Sequence, residues 1–403
     1  MPLVVGVPWL VAVSFGCAGC ADDSGAGGTA VVRDSAGVEI VENHAPAWTK
    51  ERAWTVVPRP SFDVGGDPND TTQQFSDVTA ATRLSDGRIV VADAEVNALR
   101  IFGADGRFIA QAGRHGGGPG EFNNIGTLVR RPGDTLLVWD RSSRRLSRFD
   151  PSGRFVSAVT ASAQIGSFPT LFGVFGDGSL AVLANGPFSF DNTGLVRARA
   201  TVIRLHPDGS LADTLAGILA DELVVNATRN GNNVSMTMFM PTLFHKTFGR
   251  VAGGSLFVGD NARYEIARYD TAGAVTRLIR RDEQAVPFTD DIMVALGNAS
   301  ANADADVRRQ VEERMRNTPH PDSVGYFLNL LAVDDGALWV REMPLPGDTI
   351  PVWSVFDTAG RYQGTITMPP RFDLLEIGSD YVLGTWKDDL DVEHVRMYPL
   401  RKP

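Results

Sequence analysis

The chain has 403 residues, 43% of them hydrophobic and 21% charged, with a formal net charge of −10 at pH 7. That acidic balance excludes a phosphate-binding surface of clustered Lys and Arg, so nucleic acid is not an expected partner. Only two cysteines occur, Cys17 and Cys20, both ahead of the main body of the chain, so stability must come from packing and not from disulfides.

The first apolar run, Leu3 to Phe15, is too short to span a bilayer as a resident helix and reads as an export signal covering residues 1–20. Asp22 to Thr29 is small, polar and glycine-rich, so residues 21–36 are expected to form a flexible tether. Gly37 to Glu42 alternates like a strand whose partner the pattern does not assign. Trp54 to Val64 follows, and Gly65-Gly66 ends it.

From about residue 78 one unit recurs with a period of roughly fifty residues. Asp86-Gly87-Arg88-Ile89-Val90-Val91-Ala92-Asp93 returns as Leu99 to Gly106, and the same sentence is rewritten at Thr135 to Asp140 with Leu146 to Gly153. It recurs at Gly178 to Val182 with Ile203 to Gly209, at Gly254 to Asp260 with Ile266 to Gly273, and at Gly336 to Val340 with Trp353 to Gly360. Adding the strands on either side, such as Val78 to Leu84 and Phe108 to Ala112, gives four antiparallel strands per unit. A small sheet of this kind buries both faces only when neighbours stack on it, which makes an all-β, six-bladed propeller the expected fold. The sixth unit, Leu374 to Tyr398, ends before a fourth strand can form. Trp54 to Val64 is therefore expected to close the ring by pairing with the last blade, removing two open edges.

The repeated turn-strand-Asp pattern and the connector Gly113-Arg114-His115-Gly116-Gly117-Gly118-Pro119-Gly120-Glu121-Phe122 resemble the NHL-type six-bladed propellers, and especially their bacterial lipoprotein branch. Gly37-Val38-Glu39-Ile40-Val41-Glu42-Asn43 is similar to the segment that precedes the ring in that branch, and the resemblance covers residues 37–403. Cys17-Ala18-Gly19-Cys20 resembles a lipoprotein processing site. The resemblance implies lipid attachment at Cys20, a membrane association through that anchor alone, and a location in the bacterial cell envelope.

Loop lengths separate the two faces of the expected ring. The first-to-second and third-to-fourth connections are all tight, with glycines such as Gly87, Gly106 and Gly153 supplying positive φ. The long segments Ala184 to Ala200, Gly217 to Met240, Arg280 to Tyr326 and Arg341 to Ile350 all fall on the opposite face. Binding and chemistry are usually carried on such loops, so this is the working face. In the third of these segments a helix is expected over Asp304 to Arg316, with Val307, Val311 and Met315 in one stripe, and a shorter one after Thr289. Together they make a helical insertion over about residues 286–318 that either covers the ring or acts as a lid.

Candidate ligand-binding residues on that face are Arg114, His115, Arg141, His245 and Arg341. Asp93, Asp140 and Asp260 end equivalent strands and are read as local loop hydrogen bonders, because blades hold them apart. The six histidines fall in no zinc-ligand spacing, and no nucleophile elbow or phosphate loop is present. These features favour a monomeric envelope protein that binds or scaffolds an unknown protein or small-molecule ligand and uses no cofactor. The other reading is a metal-dependent lactonase or gluconolactonase-like hydrolase. It requires a divalent cation such as calcium, with Asp77, Asn124 and Asn329 as candidate ligands from the inner-strand ends.

Overall fold

The computed structural model describes residues 30–166, 169–185, 193–230, 233–299 and 305–403. The expected signal segment, Cys20 and residues 21–29 of the tether lie outside the described residues. Six sheets, each built on antiparallel neighbours along the chain, follow one another. Blade 1 is Val78–Arg83, Ile89–Asp93, Ala98–Phe102 and Phe108–Ala112, and blade 2 is Ile125–Arg131, Thr135–Asp140, Arg145–Phe149 and Phe155–Thr160. Blade 3 is Thr170–Val174, Leu180–Asn185, Gly194–Leu205, Leu211–Asn230 and Asn233–Phe239. Blade 4 is Thr247–Ala252, Ser255–Asp260, Glu265–Tyr269 and Val275–Arg281. Blade 5 is Phe327–Ala332, Leu338–Glu342, Val352–Phe356 and Tyr362–Thr367, and blade 6 holds Phe372–Ile377, Tyr381–Lys387 and Glu393–Arg401.

The core lies in the seams between blades. Ile89, Val91 and Phe102 of blade 1 meet Leu383 and Val395 of blade 6 around Phe62 and Phe75, while Val90, Leu99 and Ile101 on the other face of blade 1 meet Leu136, Val138 and Phe149 of blade 2. Strands buried on both faces explain why the second strands read as continuous apolar runs. Polar side chains bolt the seams at their ends. Asn97 accepts the N–H of Ile125, Asn261 accepts from Lys246 at 2.6 Å and donates to Phe327 at 2.7 Å, and Glu393 accepts the N–H of Val78. Asp93, Asp140 and Asp260 do accept from their own loops, at the N–H groups of Glu95, Ser142 and Ala262.

The ring closes as the sequence predicts. Phe62–Gly65 pairs antiparallel with Glu393–Arg401, bringing Gly65 opposite His394 and Phe62 opposite Met397, and Thr55–Val56 extends the pairing. Gly65 has a φ of +130°, and a Cβ there would stand 2.7 Å from the carbonyl oxygen of Glu393, so this entry requires glycine. Asp63 fixes the pair by accepting from His394 and Arg396 at 3.0 and 2.9 Å.

Three expectations are corrected. The tether does not reach residue 36: Ala30–Ser35 is a strand, paired antiparallel with Val38–Asn43. Val38–Asn43 in turn finds its partner in parallel on Val275–Arg281, making blade 4 six-stranded. Covering that outer edge buries Ile40 and Val41, while Glu39 meets Arg277 at 2.6 Å, and Asn43 ties blade 4 to blade 5 by donating to Arg280 and Gly360 and accepting from Tyr362. The segments read as loops in blade 3 are largely strand: Leu211–Asn230 pairs with Gly194–Leu205 on one side and Asn233–Phe239 on the other, so a ladder satisfies a backbone expected in loops. Of the expected helical stripe, Met315 is buried and Val311 partly so, but Val307 is 44% exposed.

The helices themselves form as expected, α1 over Asp290–Ala299 and α2 over Ala305–Arg316. The Thr289 hydroxyl caps α1 by accepting the N–H of Ile292. Gly297 lets the helices touch, since a Cβ there would meet Met315 and Val311 at 2.7 and 2.8 Å. Met293, Val294 and Met315 pack on Phe288 and Val324, on Val224 and Leu195 of the long blade 3 strands, on Leu243 and Phe244, and on Met343 and Leu345 in the loop after the second strand of blade 5. The insertion thus has a small core of its own, seated over the junction of blades 3 to 5. Among the described residues no helix is long and apolar enough to cross a membrane.

Candidate functional site

The inner strands of all six blades surround a central cavity of about 1220 Å³. Its wall includes Thr79, Gly126, Thr127, Arg141, Thr170, Arg250 and Asn329. Inner strands run from the insertion-bearing face to the tight-turn face, so Arg83 and Arg130, near their strand ends, belong to the tight-turn half with Asp334, Asp335, Trp48, Trp54 and Lys402. Trp48 and Trp54 lie 5.1 Å apart between ring centroids, Lys402 sits 4.3 Å from the Trp54 ring, and the Trp54 ring lies 6.1 Å from that of buried Trp339.

Arg250 is the most unusual wall residue. It lies deep inside the ring, yet faces open channel, and it donates to its neighbour's carbonyl at Gly249 and to Oδ1 of Asn329, at 2.8 and 3.3 Å. Desolvation lowers its pKa to about 10, still charged at neutral pH. Arg141 follows the second strand of blade 2, lies across Gly126, and donates through Nε to Oδ1 of Asn124 at 3.2 Å.

The other sequence candidates are dispersed. Arg114 is exposed and ion-paired to Glu121 at 2.6 Å, and His115 is exposed beside it on the connector. That connector is structural: it delivers Phe122, fully buried, into the seam of blades 1 and 2, and a Cβ on Gly113 would collide with the Phe122 ring at 2.5 Å. Arg341 is paired to Asp373 at the start of blade 6. Of the five, only Arg141 lines the cavity.

His245 stands under the helical insertion. Its Nδ1 is 3.1 Å from Oε1 of Glu222, the second oxygen of Glu222 accepts the His245 N–H, and Nε2 is 3.5 Å from the hydroxyl of Ser323. Positions 222, 245 and 323 are too far apart in sequence to have been grouped by spacing. The arrangement orients an imidazole on a carboxylate, but the hydroxyl contact is at the outer limit of hydrogen bonding. Its evident work is to anchor the bridge between Pro287 and Ser323, and hence the insertion, to the long strand of blade 3.

The structure places the three candidate cation ligands as follows. The side-chain oxygens of Asn124 and Asn329 each receive a guanidinium N–H, and Asp77 is exposed and is not part of the cavity wall. Among the described residues no group of three or more His, Cys, Asp or Glu is placed to hold an ion.

A family model described as a 6-bladed beta-propeller matches residues 72–164, the stretch carrying blades 1 and 2 and the glycine connector. The chain is a six-bladed β-propeller. Solved structures similar to this propeller include a Bacteroides fragilis protein described as exported, 12% identical, with 90% of this chain and 99% of that one covered at a TM-score of 0.49. A member of the DUF4221 family from Bacteroides vulgatus is 9% identical, covering 88% and 100% at a TM-score of 0.46. A gluconolactonase from Xanthomonas campestris is 15% identical, covering 81% and 88% at 0.42. These likenesses bring no activity to the propeller. No curated protein is a significant sequence relative.

Proposed function

We propose that the propeller is an exported protein, held at the cell envelope through lipid on Cys20, that binds or scaffolds a ligand through its insertion-bearing face. The observation that carries this reading is the inequality of the two faces. One is closed by turns such as Gly103 to Arg107 and Asp150 to Arg154, each pinned by its own backbone hydrogen bonds. The other bears the long blade 3 strands and two helices joined in a separate core. Elaboration that the ring does not need for closure is where recognition is built.

The test compares the mature chain with a variant in which residues 283–323 are replaced by a short Gly-Ser link. Both are immobilised and exposed to an envelope extract. The expected result is a folded variant, by circular dichroism, that loses capture. Equal capture by the two would overturn the reading. Independently, Cys20→Ser should move the protein from the membrane fraction to the soluble one.

A further inference from the structure

Arg141 and Arg250 line one cavity, and neither forms an ion pair among the described residues. A guanidinium carries five N–H donors. Arg250 spends two of them, on Gly249 and Asn329, and Arg141 one, on Asn124, so three and four respectively have no protein acceptor among the described residues. All the acceptors they do use are neutral.

The other channel charges are engaged elsewhere. Glu376 is held by the Thr82 hydroxyl, the Arg83 N–H and the Tyr381 hydroxyl. Arg130 pairs with Asp134 at 3.3 Å, Arg83 approaches Asp380 at 3.9 Å, and Asp357 caps its own turn at Ala359 and Arg361. Asp334, Asp335 and Lys402 stay at the tight-turn end. In a chain of net charge −10, Arg141 and Arg250 thus enter the channel with no carboxylate paired to either among the described residues. Taking a cation out of bulk water without a counter-charge is unfavourable, and proteins ordinarily supply a carboxylate. Here no carboxylate pairs with either guanidinium among the described residues, and the planar fork of arginine matches an oxyanion.

We propose that the channel is a binding site for an oxyanion, the carboxylate or phosphate group of a small ligand, held by Arg250 with Arg141 toward the mouth. Asn124 and Asn329 orient the two forks and leave their free N–H groups for the ligand. The cavity is large enough for a small molecule with water around it. This deepens the reading of the insertion-bearing face as the working end and rests on it.

The experiment titrates inorganic phosphate, succinate and, as a neutral control, glucose into the mature chain at low ionic strength by calorimetry. Saturable binding of about one equivalent of phosphate or succinate, with glucose silent, is expected. Phosphate alone identifies a phosphate-bearing ligand and succinate alone a carboxylate-bearing one. Arg250→Gln should weaken binding at least about tenfold, which is about 1.4 kcal/mol, and Arg141→Gln by a smaller factor. If Arg250→Gln does not fold, Arg250→Lys keeps the charge, loses the fork, and should still weaken binding. Silence from both anions overturns the proposal, as does binding untouched by every substitution. The variant lacking residues 283–323 separates the two claims: oxyanion binding that survives there while envelope capture is lost supports both.

Discussion

Blades 2 and 3 share one plan and end very differently. Blade 2 passes from second to third strand through residues 141–144, and each of its strands has seven residues or fewer. Blade 3 runs its third strand for 12 residues and its fourth for 20, well past the ring. Inside the ring, each blade must match two neighbours, and its dimensions are dictated by them. Beyond it, strands must satisfy their own backbone and cover their own apolar side chains. Blade 3 does so by pairing with itself and lending Val224 and Leu195 to the helices. The ring is a shared constraint, and the superstructure is a local one.

Substitutions can break that contrast at either end. The largest effect is expected at ring closure. Phe62→Ala empties a buried position shared by blades 1 and 6 and should cost about 3–5 kcal/mol, seen as one cooperative drop in chemical denaturation. A drop confined to residues 55–65 would mean the ring stands without its clasp. Next is Met293→Ala, in the insertion core, at about 2–5 kcal/mol. Its signature should be local: faster hydrogen exchange across α1 and α2 with protection in blade 1 unchanged. Loss of protection everywhere would show that ring and superstructure are one unit.

Asn261→Ala should cost about 1–3 kcal/mol, because the Lys246 N–H and the Phe327 carbonyl lose their partner in a buried seam. The smallest change is at a tight turn. Asp150 is held down to about 2 by the Ser152 hydroxyl and the N–H groups of Ser152 and Arg154. A depressed carboxylate stabilises the fold above its unfolded pKa of about 3.9 and loses that contribution as the pH falls toward about 2. Thermal unfolding followed between those values should therefore be less steeply pH-dependent in Asp150→Ala, and an unchanged slope would show that this turn does not contribute to acid unfolding.

The ring was legible because its grammar is local. Glycine at positive φ in turns such as Gly106 and Gly153, runs such as Ile89 to Ala92, and the missing fourth strand of blade 6 together specify six blades and the clasp. The edge partner of Val38–Asn43 was not legible: a parallel pairing with Val275–Arg281 has no turn to announce it. Nor was Arg250, since nothing in a strand pattern tells whether an arginine meets a carboxylate or an open channel. Arg141 was legible as a working-face residue because it follows a second strand. Arg114 and His115 were drawn in by the connector's composition, whose purpose is to place Phe122.

The clasp also sets when the molecule can exist at all. Ser61 donates to the carbonyl of Met397 across 336 positions, and Arg396 reaches Asp63 across 333. Contacts so remote in sequence form slowly and last, after most of the chain is available. Five blades can be made and still leave two unmatched edges. Only when the final strand arrives does the earliest part of the ring acquire its neighbour, so a chain interrupted near its end stays open.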